Sequence, residues 1–375
     1  MKYRRFGKTE LNISVFSLGL MRCCYSQSQL LSTVAKAFEL GINHLELARG
    51  YGNSEAYLGR ALKELNIPRE KVIITTKLTP HEDKNTFSQW LDESLLNLQT
   101  DYIDCLAIHG INTPSHLDLI QKTDFLEILT KAKNEGKIKH FGFSSHGSLE
   151  LIKEAILTDL FEFINIHYYY FFQRNYSVLE LAKKLDLGVF IISPADKGGL
   201  LYQPSPKLEK LCKPFSPLLL TYRFLLCDRR ISTLSLGASN PEELIYPLTV
   251  ADRDEPLNKK EIDTFNHIEN TLKQTLKTDH CSQCYQCLPC PENINIPEIL
   301  RLRNLGVGLE MTEYAKYRYQ MFENAGHWFW GRKGDKCTEC GECLPKCPEK
   351  LNIPALLADS HDRFKGSARR RLWEN

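Results

Sequence analysis

The sequence predicts an α/β chain in which a (β/α)8 barrel precedes a small, mainly helical domain. The chain has 375 residues, enough for two domains. Over roughly the first 250 residues, short apolar runs alternate with amphipathic stretches, and eight such units over this length are typical of a TIM barrel. Beyond them, eight cysteines lie between residues 281 and 347.

The predicted strands are short runs rich in β-branched and other apolar residues. They are Ile13–Gly19, Asn43–Ala48, Val72–Lys77, Tyr102–His109, Ile138–Ser145, Phe161–His167, Gly188–Ser193 and Ile231–Gly237. Amphipathic stretches such as Leu30–Leu40 follow them, and Gly41 and Gly136 stand where helices should stop. A doubly wound sheet is the alternative, but it usually has fewer strands and a glycine-rich turn after the first.

The end of the barrel is predicted from a change in pattern. A polar connection, Asp252–Leu257, leads into one amphipathic helix, Asn258–Lys277. We therefore expect the barrel to cover residues 1–272 and the second domain residues 273–375. The tail Arg363–Arg371 is basic, which is typical of a solvated segment or of a docking patch for an acidic partner.

The eight cysteines of the second domain form an internal repeat. The first run is Cys281-Ser-Gln-Cys284-Tyr-Gln-Cys287-Leu-Pro-Cys290-Pro, and the second is Cys337-Thr-Glu-Cys340-Gly-Glu-Cys343-Leu-Pro-Lys-Cys347-Pro. A [4Fe–4S] cube needs one thiolate at each iron, and three closely spaced cysteines with a distant fourth supply this set. Structural zinc or disulfides are the alternatives, but zinc sites use paired Cys-x2-Cys units, which these triplets fit poorly.

Both runs resemble those of two-cluster, ferredoxin-type iron–sulfur domains, although two residues rather than three precede the last cysteine of the first run. In such domains the Cys-Pro cysteine of each run ligates the other cluster. The resemblance thus implies a ferredoxin-like domain with two [4Fe–4S] clusters. One set of ligands is Cys281, Cys284, Cys287 and Cys347, and the other is Cys337, Cys340, Cys343 and Cys290.

Composition and charge exclude some classes of function. The net charge of +2 gives no overall field for binding nucleic acid or a membrane, and no apolar run is long enough to span a bilayer. The N-terminus lacks the apolar segment of a signal peptide. Clusters and free thiols indicate a reducing compartment, so we expect a cytoplasmic protein. The remaining cysteines are expected to be free thiols: Cys23, Cys24, Cys105, Cys212 and Cys227.

Four polar residues lie at or just after predicted strand ends, where TIM barrels carry their active sites. They are Glu46, Tyr51, Lys77 and His109. A lysine beside a phenol lowers the pKa of the phenol, a carboxylate can hold the lysine, and an imidazole can orient a substrate oxygen. Each residue alone could instead be structural, as a buried ion pair, a core tyrosine or a capping histidine. Together they predict a proton-donating site.

Three motifs connect the barrel to a known family. They are the opening Tyr-Arg-Arg-Phe-Gly-Lys-Thr-Glu-Leu-Asn-Ile-Ser, the segment Tyr51-Gly-Asn-Ser-Glu followed by Leu58-Gly59, and Gly136-Lys-Ile-Lys-His-Phe-Gly-Phe-Ser-Ser. Together they resemble the aldo/keto reductases, which are barrels that reduce carbonyls with NADPH through an Asp–Tyr–Lys–His tetrad. Some members also carry a C-terminal two-cluster domain.

The resemblance implies a role for each of the four polar residues. Tyr51 is the expected proton donor, Lys77 its pKa modulator and His109 the residue that orients the substrate. Glu46 is the expected acid of the tetrad, and it is one methylene longer than the aspartate of the family.

The resemblance also implies nucleotide contacts, and here the sequence departs from the family. Asn165 stands where many members have a glutamine that binds the nicotinamide carboxamide, and Asn240 where an arginine often holds the adenosine phosphate. Ile192 replaces a tyrosine that stacks on nicotinamide. The remaining candidate contacts are Ser144, Ser145, Ser193 and Ser239. NADP(H) is thus implied by the resemblance and not by these residues.

Three functions are compatible with the sequence. The first is a redox enzyme with a small-molecule substrate, whose clusters exchange electrons with the barrel site or with a ferredoxin, a flavodoxin or another redox protein. The second is a carbonyl reductase with structural or redox-sensing clusters, and the third is a non-catalytic electron-transfer module. Hydride transfer moves two electrons and a cluster moves one, so joining them normally needs a flavin or a similar centre. The sequence shows no flavin motif, although barrel loops can hold FMN through its phosphate.

Overall fold

The structure, a computed structural model, describes residues 1–369 apart from the side chains of Lys84 and Thr123. Arg370 and Arg371 of the predicted basic tail lie outside the described residues. The chain divides into two compact units. The first contains Met1–Gly198 and Thr221–Pro256, and the second contains Gly199–Leu220 and the chain from Leu257 onward. Within residues 1–369, no helix has the length and apolarity needed to cross a membrane.

The first unit is a closed barrel of eight parallel strands, which confirms the predicted fold class. The strands of the chain are β1 (Tyr3–Arg5), β2 (Asn12–Ser14), β3 (Phe16–Gly19), β4 (His44–Glu46), β5 (Ile73–Leu78), β6 (Ile103–His109), β7 (Ile138–Ser144), β8 (Phe163–Ile166), β9 (Gly188–Ile191) and β10 (Thr233–Leu236). The barrel runs in chain order from β3 to β10 and closes where Leu234 lies opposite Phe16.

Helices lie between the strands and after β10, and several of them begin with a side-chain cap and bury an apolar face. In chain order they are α1 (Gln27–Glu39), α2 (Ser54–Glu64), α3 (Lys84–Leu98), α4 (Pro114–Ile120), α5 (Thr123–Asn134), α6 (Leu149–Leu157), α7 (Tyr176–Lys184), α8 (Pro206–Cys212), α9 (Pro217–Leu226), α10 (Glu242–Leu248), α11 (Lys259–Leu276), α12 (Ile296–Gly308), α13 (Thr312–Tyr319) and α14 (Ile353–Phe364). In α1, for example, the Ser26 side chain caps the first turn, and Leu30, Val34 and Ala37 form the buried face.

The N-terminal end of the barrel differs from the prediction. The run Ile13–Gly19, expected as one strand, is divided at Val15, whose N–H donates to the carbonyl of Lys2 beside β1, whereas its carbonyl accepts from the N–H of Leu234 in the barrel. The first half, β2, pairs antiparallel with β1. The chain after β1 places Phe6 against Phe163, with ring centroids 5.2 Å apart. Phe6 is fully buried, so this side chain closes the floor of the barrel.

The second unit is helical, but its bounds differ from those expected from the sequence. The predicted boundary between residues 272 and 273 falls inside α11, which belongs to the second unit over its whole length. This helix begins with a capping box between Asn258 and Glu261. The segment Gly199–Leu220, which contains α8, also belongs to this unit, and α8 packs against α11.

The sequence repeat of the second unit is repeated in its structure. Asn295 caps the N-terminus of α12, and Asn352 caps that of α14. Each cap follows the last cysteine of its run, and each helix carries proline in its first turn, where the missing N–H costs no hydrogen bond. The two cysteine loops therefore lead into equivalent helices.

Candidate functional site

Three of the four predicted catalytic residues are on the inward faces of adjacent strands. Glu46 ends β4, Lys77 lies in β5 and His109 ends β6. Side chains alternate across a strand, and Ala107 and Cys105, two and four residues before His109, belong to the core inside the barrel. His109 therefore points into the C-terminal end of the barrel. Glu46, Lys77 and His109 are all at most 6% exposed.

The fourth residue, Tyr51, is brought to the same place by the loop between β4 and α2. Lys77 Nζ lies 3.3 Å from Tyr51 Oη, donates to the carbonyl of Leu47 at 2.8 Å and forms a close ion pair with Glu46. The Tyr51 and His109 rings meet edge to face with centroids 5.6 Å apart. The structure thus brings the four residues together around one phenol.

Backbone hydrogen bonds and a buried carboxylate hold this loop in place. The N–H of Arg49 donates to the carbonyl of Lys77 at 3.1 Å, which joins the loop to β5. At the start of α2, Glu55 accepts a hydrogen bond of 2.7 Å from Thr76, the neighbour of Lys77. Burial raises the pKa of Glu55, and this hydrogen bond opposes the shift. Sequence reasoning missed Glu55, although it belongs to the motif that begins at Tyr51.

His44 precedes Glu46 by two residues in β4, and sequence reasoning missed it as well. Its Nδ1 is 2.5 Å from Ser17 Oγ, and its Nε2 is 2.7 Å from Thr75 Oγ1. Burial, reinforced by the charge of Lys77, lowers the pKa of His44 to about 3. The ring is therefore neutral at physiological pH and adds no second cation beside the Lys77 ammonium. Its position two residues before Glu46, on the same face of the strand, is the signal that could have identified it.

Asn165 has the unpaired donor and acceptor that its predicted contact with a nicotinamide carboxamide requires. It lies on β8 opposite Ser144, and Ser144 lies opposite His109. The Asn165 side chain is fully buried, and within the described residues its Nδ2 and Oδ1 have no hydrogen-bond partner. Leaving a buried polar group unpaired costs about 1–3 kcal/mol, so a ligand with complementary donor and acceptor groups would relieve this cost. A carboxamide has both groups.

The serines near Asn165 are already engaged. Ser144 Oγ donates to the carbonyl of Ile108 at 3.3 Å, and Ser145 Oγ donates to that of Ile111 at 2.5 Å. Ser193 follows β9 and has a left-handed backbone, with φ of 52°. These predicted contacts lie beside strand ends, but nothing in their hydrogen bonding singles out a nucleotide.

Ser239 and Asn240 do not fit a phosphate group. Ser239 donates to the carboxylate of Glu243 through its N–H at 3.0 Å and its hydroxyl at 2.6 Å, and Asn240 Oδ1 accepts the N–H of Glu243 at 3.0 Å. Arg22 also pairs with Glu243, at 2.9 Å. Burial favours the neutral acid, but the hydrogen bonds from Ser239 and the charge of Arg22 outweigh it and lower the pKa of Glu243. A carboxylate thus takes the donors that a phosphate would need.

A chain of three hydrogen-bonded side chains follows β7 and β8. His167 Nε2 lies 2.9 Å from His146 Nδ1, and His167 Nδ1 is hydrogen-bonded to the hydroxyl of Tyr169. The Tyr169 hydroxyl also contacts the carbonyl of Ile192. Sequence reasoning did not identify this group, because its members are dispersed over two loops without a motif.

The eight cysteines of the second unit line two cavities. The first cavity is lined by Cys281, Cys284, Cys287 and Cys347. The second is lined by Cys290, Cys337, Cys340 and Cys343, together with the shared Cys287. These are the two crossed sets implied by the ferredoxin resemblance, and none of the cysteines forms a disulfide. Four thiols around each cavity fit the ligand set of a [4Fe–4S] cube.

No group of three or more His, Cys, Asp or Glu side chains in residues 1–369 converges in the way that a single metal ion requires. The thiols of each set are therefore spaced around a cavity and do not meet at the position of a single ion.

Two family models match the chain, one for each part. Residues 16–270 match the aldo/keto reductase family, and residues 280–351 match a 4Fe-4S dicluster domain. The first match covers more than half of the chain, and the second contains all eight cysteines of the repeat.

Relatives and solved structures agree with the first match. The chain is 26% identical to L-galactose dehydrogenase from Arabidopsis thaliana, over 73% of this chain and 95% of the relative. It is 28% identical to an uncharacterized oxidoreductase, YqkF, from Bacillus subtilis, over 57% and 71%, and 35% identical to methylglyoxal reductase DkgB from Escherichia coli O157:H7, over 38% and 52%. The holo form of aldo-keto reductase AKR11C1 from Bacillus halodurans aligns with a TM-score of 0.61 at 24% identity, over 71% and 95%, which shows a shared fold.

Proposed function

This chain belongs to the aldo/keto reductase family and is an oxidoreductase with a 4Fe-4S dicluster domain, and from that premise we propose that its barrel reduces a carbonyl compound at Tyr51. The observation that carries the proposal is the contact of Tyr51 Oη with the buried Lys77 ammonium at 3.3 Å. When bound, a reduced nicotinamide dinucleotide supplies the hydride for the carbonyl carbon. The residues of the chain supply the proton and hold the substrate and the cofactor in position.

Tyr51 donates its phenolic proton to the carbonyl oxygen as that oxygen gains charge. The Lys77 ammonium favours the phenolate that remains, because a nearby cation stabilises an anion. Glu46 keeps the ammonium charged by pairing with it where water is excluded. His109 lies at the edge of the Tyr51 ring, from which an imidazole can hold the same substrate oxygen. A positioned general acid of this kind contributes about a hundredfold or more in rate.

Asn165 is the residue we propose for the nicotinamide carboxamide, since its buried amide lacks partners on both sides. The region around Ser239 and Asn240 offers no comparable opening for an adenosine phosphate, because Glu243 holds those donors. We therefore propose a nicotinamide dinucleotide as the cofactor and assign none of these residues to a 2′-phosphate.

In the second unit, the proposed ligands are the two crossed sets of cysteines, one around each cavity. When bound, two [4Fe–4S] clusters supply one-electron transfer. The redox partner we propose is a ferredoxin, a flavodoxin or another one-electron carrier. The cysteines hold the clusters, and the crossed ligands Cys290 and Cys347 tie each loop to the other.

Turnover of methylglyoxal with NADH or NADPH tests the barrel site, since this carbonyl is named among the relatives. Tyr51→Phe keeps the ring and removes the proton, so the rate should fall at least about a hundredfold. The matched control is Tyr57→Phe in α2. Within the described residues, the Tyr57 hydroxyl has a hydrogen bond only with Asn53, so this variant should keep the wild-type rate. A Tyr51→Phe variant that reduces its substrate as fast as the wild type would exclude the role of Tyr51.

Iron analysis tests the cysteine sites independently. Anaerobically purified protein should contain about eight irons per chain, as two cubes of four. Stoichiometric zinc without iron after cluster reconstitution would rule out the clusters. Normal turnover with nicotinamide nucleotide in a Cys340→Ser variant, without turnover by chemically reduced clusters alone, would favour a carbonyl reductase with structural clusters.

A further inference from the structure

Between their first and third cysteines, the two loops have left-handed backbones at equivalent positions but place different side chains there. Gln283 and Glu339 each lie two residues after the first cysteine of their run, and both have left-handed backbones, with φ of 60° and 56°. The next left-handed pair, Tyr285 at 63° and Gly341 at 78°, also coincides in the repeat. Because these backbone positions coincide, the side chains between the first and third cysteines of the two loops can be compared position by position.

Gln283 directs its amide group onto a cysteine of the first cavity. Its Nε2 donates to Cys281 Sγ at 3.3 Å and to the carbonyl of Pro297 at 3.0 Å. Both partners are acceptors in this arrangement, so the NH2 group faces them, whereas the reverse orientation would set Oε1 against a sulfur and a carbonyl oxygen. The first cavity therefore has a side-chain hydrogen bond to one of its sulfurs.

Glu339 cannot provide this hydrogen bond in the second loop. A carboxylate has no proton to donate, and it brings a negative charge instead. The same difference recurs three residues later, where Gln286 in the first loop corresponds to Glu342, which lines the second cavity. The second loop thus carries two carboxylates where the first carries two neutral amides.

We propose that Gln283 and Glu339 give the two cluster sites different reduction potentials, so that an electron delivered to the domain is held at the Cys281 site. The inference rests on the proposed function, because it requires both cavities to hold [4Fe–4S] clusters. The electron comes from an external one-electron carrier of the ferredoxin or flavodoxin class. That carrier is oxidised by one electron, the site is reduced by one, and no bond or proton is exchanged.

The direction of the difference follows from charge. Reduction adds one negative charge to a site that already carries four thiolates. An N–H group directed at a ligating sulfur stabilises this charge and raises the potential, whereas a carboxylate such as Glu342, which lines the second cavity, opposes it and lowers the potential. Glu292 and Glu349 add one carboxylate to each lining, so they do not distinguish the sites. Glu339 and Glu342 are exposed, so water and salt screen their effect. The hydrogen bond of Gln283 is half-buried and is screened less.

Potentiometric titration of the intact, anaerobic protein tests the proposal, with dithionite as reductant and electron paramagnetic resonance as readout. The wild type should show two midpoint potentials that differ by at least about 59 mV. For one-electron couples, this difference corresponds to about a tenfold preference of the electron for one site. Gln283→Glu should lower the higher midpoint. Glu339→Gln should raise the lower one.

Two further variants separate the effect of the hydrogen bond from the effect of charge. Gln283→Met removes the donor without adding charge, so it should lower the higher midpoint by less than Gln283→Glu does. Glu342→Gln removes only a charge and should raise the lower midpoint. Because Glu339 and Glu342 are exposed, their variants remain decisive if a Gln283 variant fails to retain its clusters.

The outcomes distinguish this inference from the proposed function. Full iron content with midpoints that do not move in Glu339→Gln, or with a shift of the higher midpoint in that variant, would refute the ordering of the two sites and leave the clusters in place. Protein that contains zinc or fewer than about eight irons after reconstitution would instead refute the two-cluster assignment itself.

Discussion

Acidification should destabilise the barrel through one buried histidine. His44 is fully buried, and burial with the charge of Lys77 lowers its pKa from 6.5 to about 3. At pH 5 the folded chain keeps the ring neutral, whereas the unfolded chain binds a proton there. The contribution of His44 to stability is therefore complete above about pH 6.5 and is lost as the pH falls. Between pH 7.5 and 5 the loss is about 2 kcal/mol, and it is the same for any folded-state pKa below about 4.

Hydrogen exchange of peptides that cover β4 and β5 measures this loss within the barrel. After correction for intrinsic exchange rates, the free energy of opening should fall by about 2 kcal/mol more in the wild type than in His44→Gln. Glutamine can still bond Ser17 and Thr75 but does not titrate. The matched control, His81→Gln, changes a partly exposed histidine of the same unit and should keep the full pH dependence. Equal losses in the wild type and in His44→Gln would refute the reasoning.

Substitutions at two further positions, Glu46 and Asn165, test the neighbouring groups. Glu46→Gln leaves the buried Lys77 ammonium without its carboxylate and should cost about 3–5 kcal/mol in urea unfolding, whereas Glu46→Asp keeps the charge and should cost less. Equal stability of Glu46→Gln and the wild type would contradict the pairing. Asn165→Leu removes two unpaired buried groups, so it should raise the free energy of unfolding by about 1–3 kcal/mol while weakening nucleotide binding measured by fluorescence. A less stable variant with unchanged nucleotide affinity would exclude the proposed role of Asn165.

Much of the barrel could be predicted because its signals are local. Each strand-like run is short and apolar, and polar residues at the ends of neighbouring parallel strands must meet at one end of a barrel. This rule assigns Glu46, Lys77 and His109 to one site from the sequence alone. His44 shares the inward face of β4 with Glu46, but it lies two residues before the strand end, so the rule that assigns residues at strand ends to the site does not select it.

Other features depend on competition between side chains that a sequence does not show. Ser239 and Asn240 follow β10 as expected, but their side chains are hydrogen-bonded to Glu243, in the first turn of α10. The helix α8 has only seven residues, and its buried positions are Leu208 and Cys212. It is therefore too short for a periodic apolar pattern to predict it. Its membership of the second unit follows from packing against α11, which is distant in sequence.

The discontinuity of the second unit determines how it can be excised from the gene. Gly199–Leu220 belongs to this unit, α8 packs against α11, and Ser205 Oγ donates to the carbonyl of Leu309 at 2.7 Å. A C-terminal fragment that starts at residue 257 or 273 encodes both cysteine loops but omits these partners. Recombination at a single crossover would transfer the loops without part of the core that supports them. Transfer of a folded unit to another protein therefore needs both coding segments, or new side chains that bury the surface of α11 against which α8 packs.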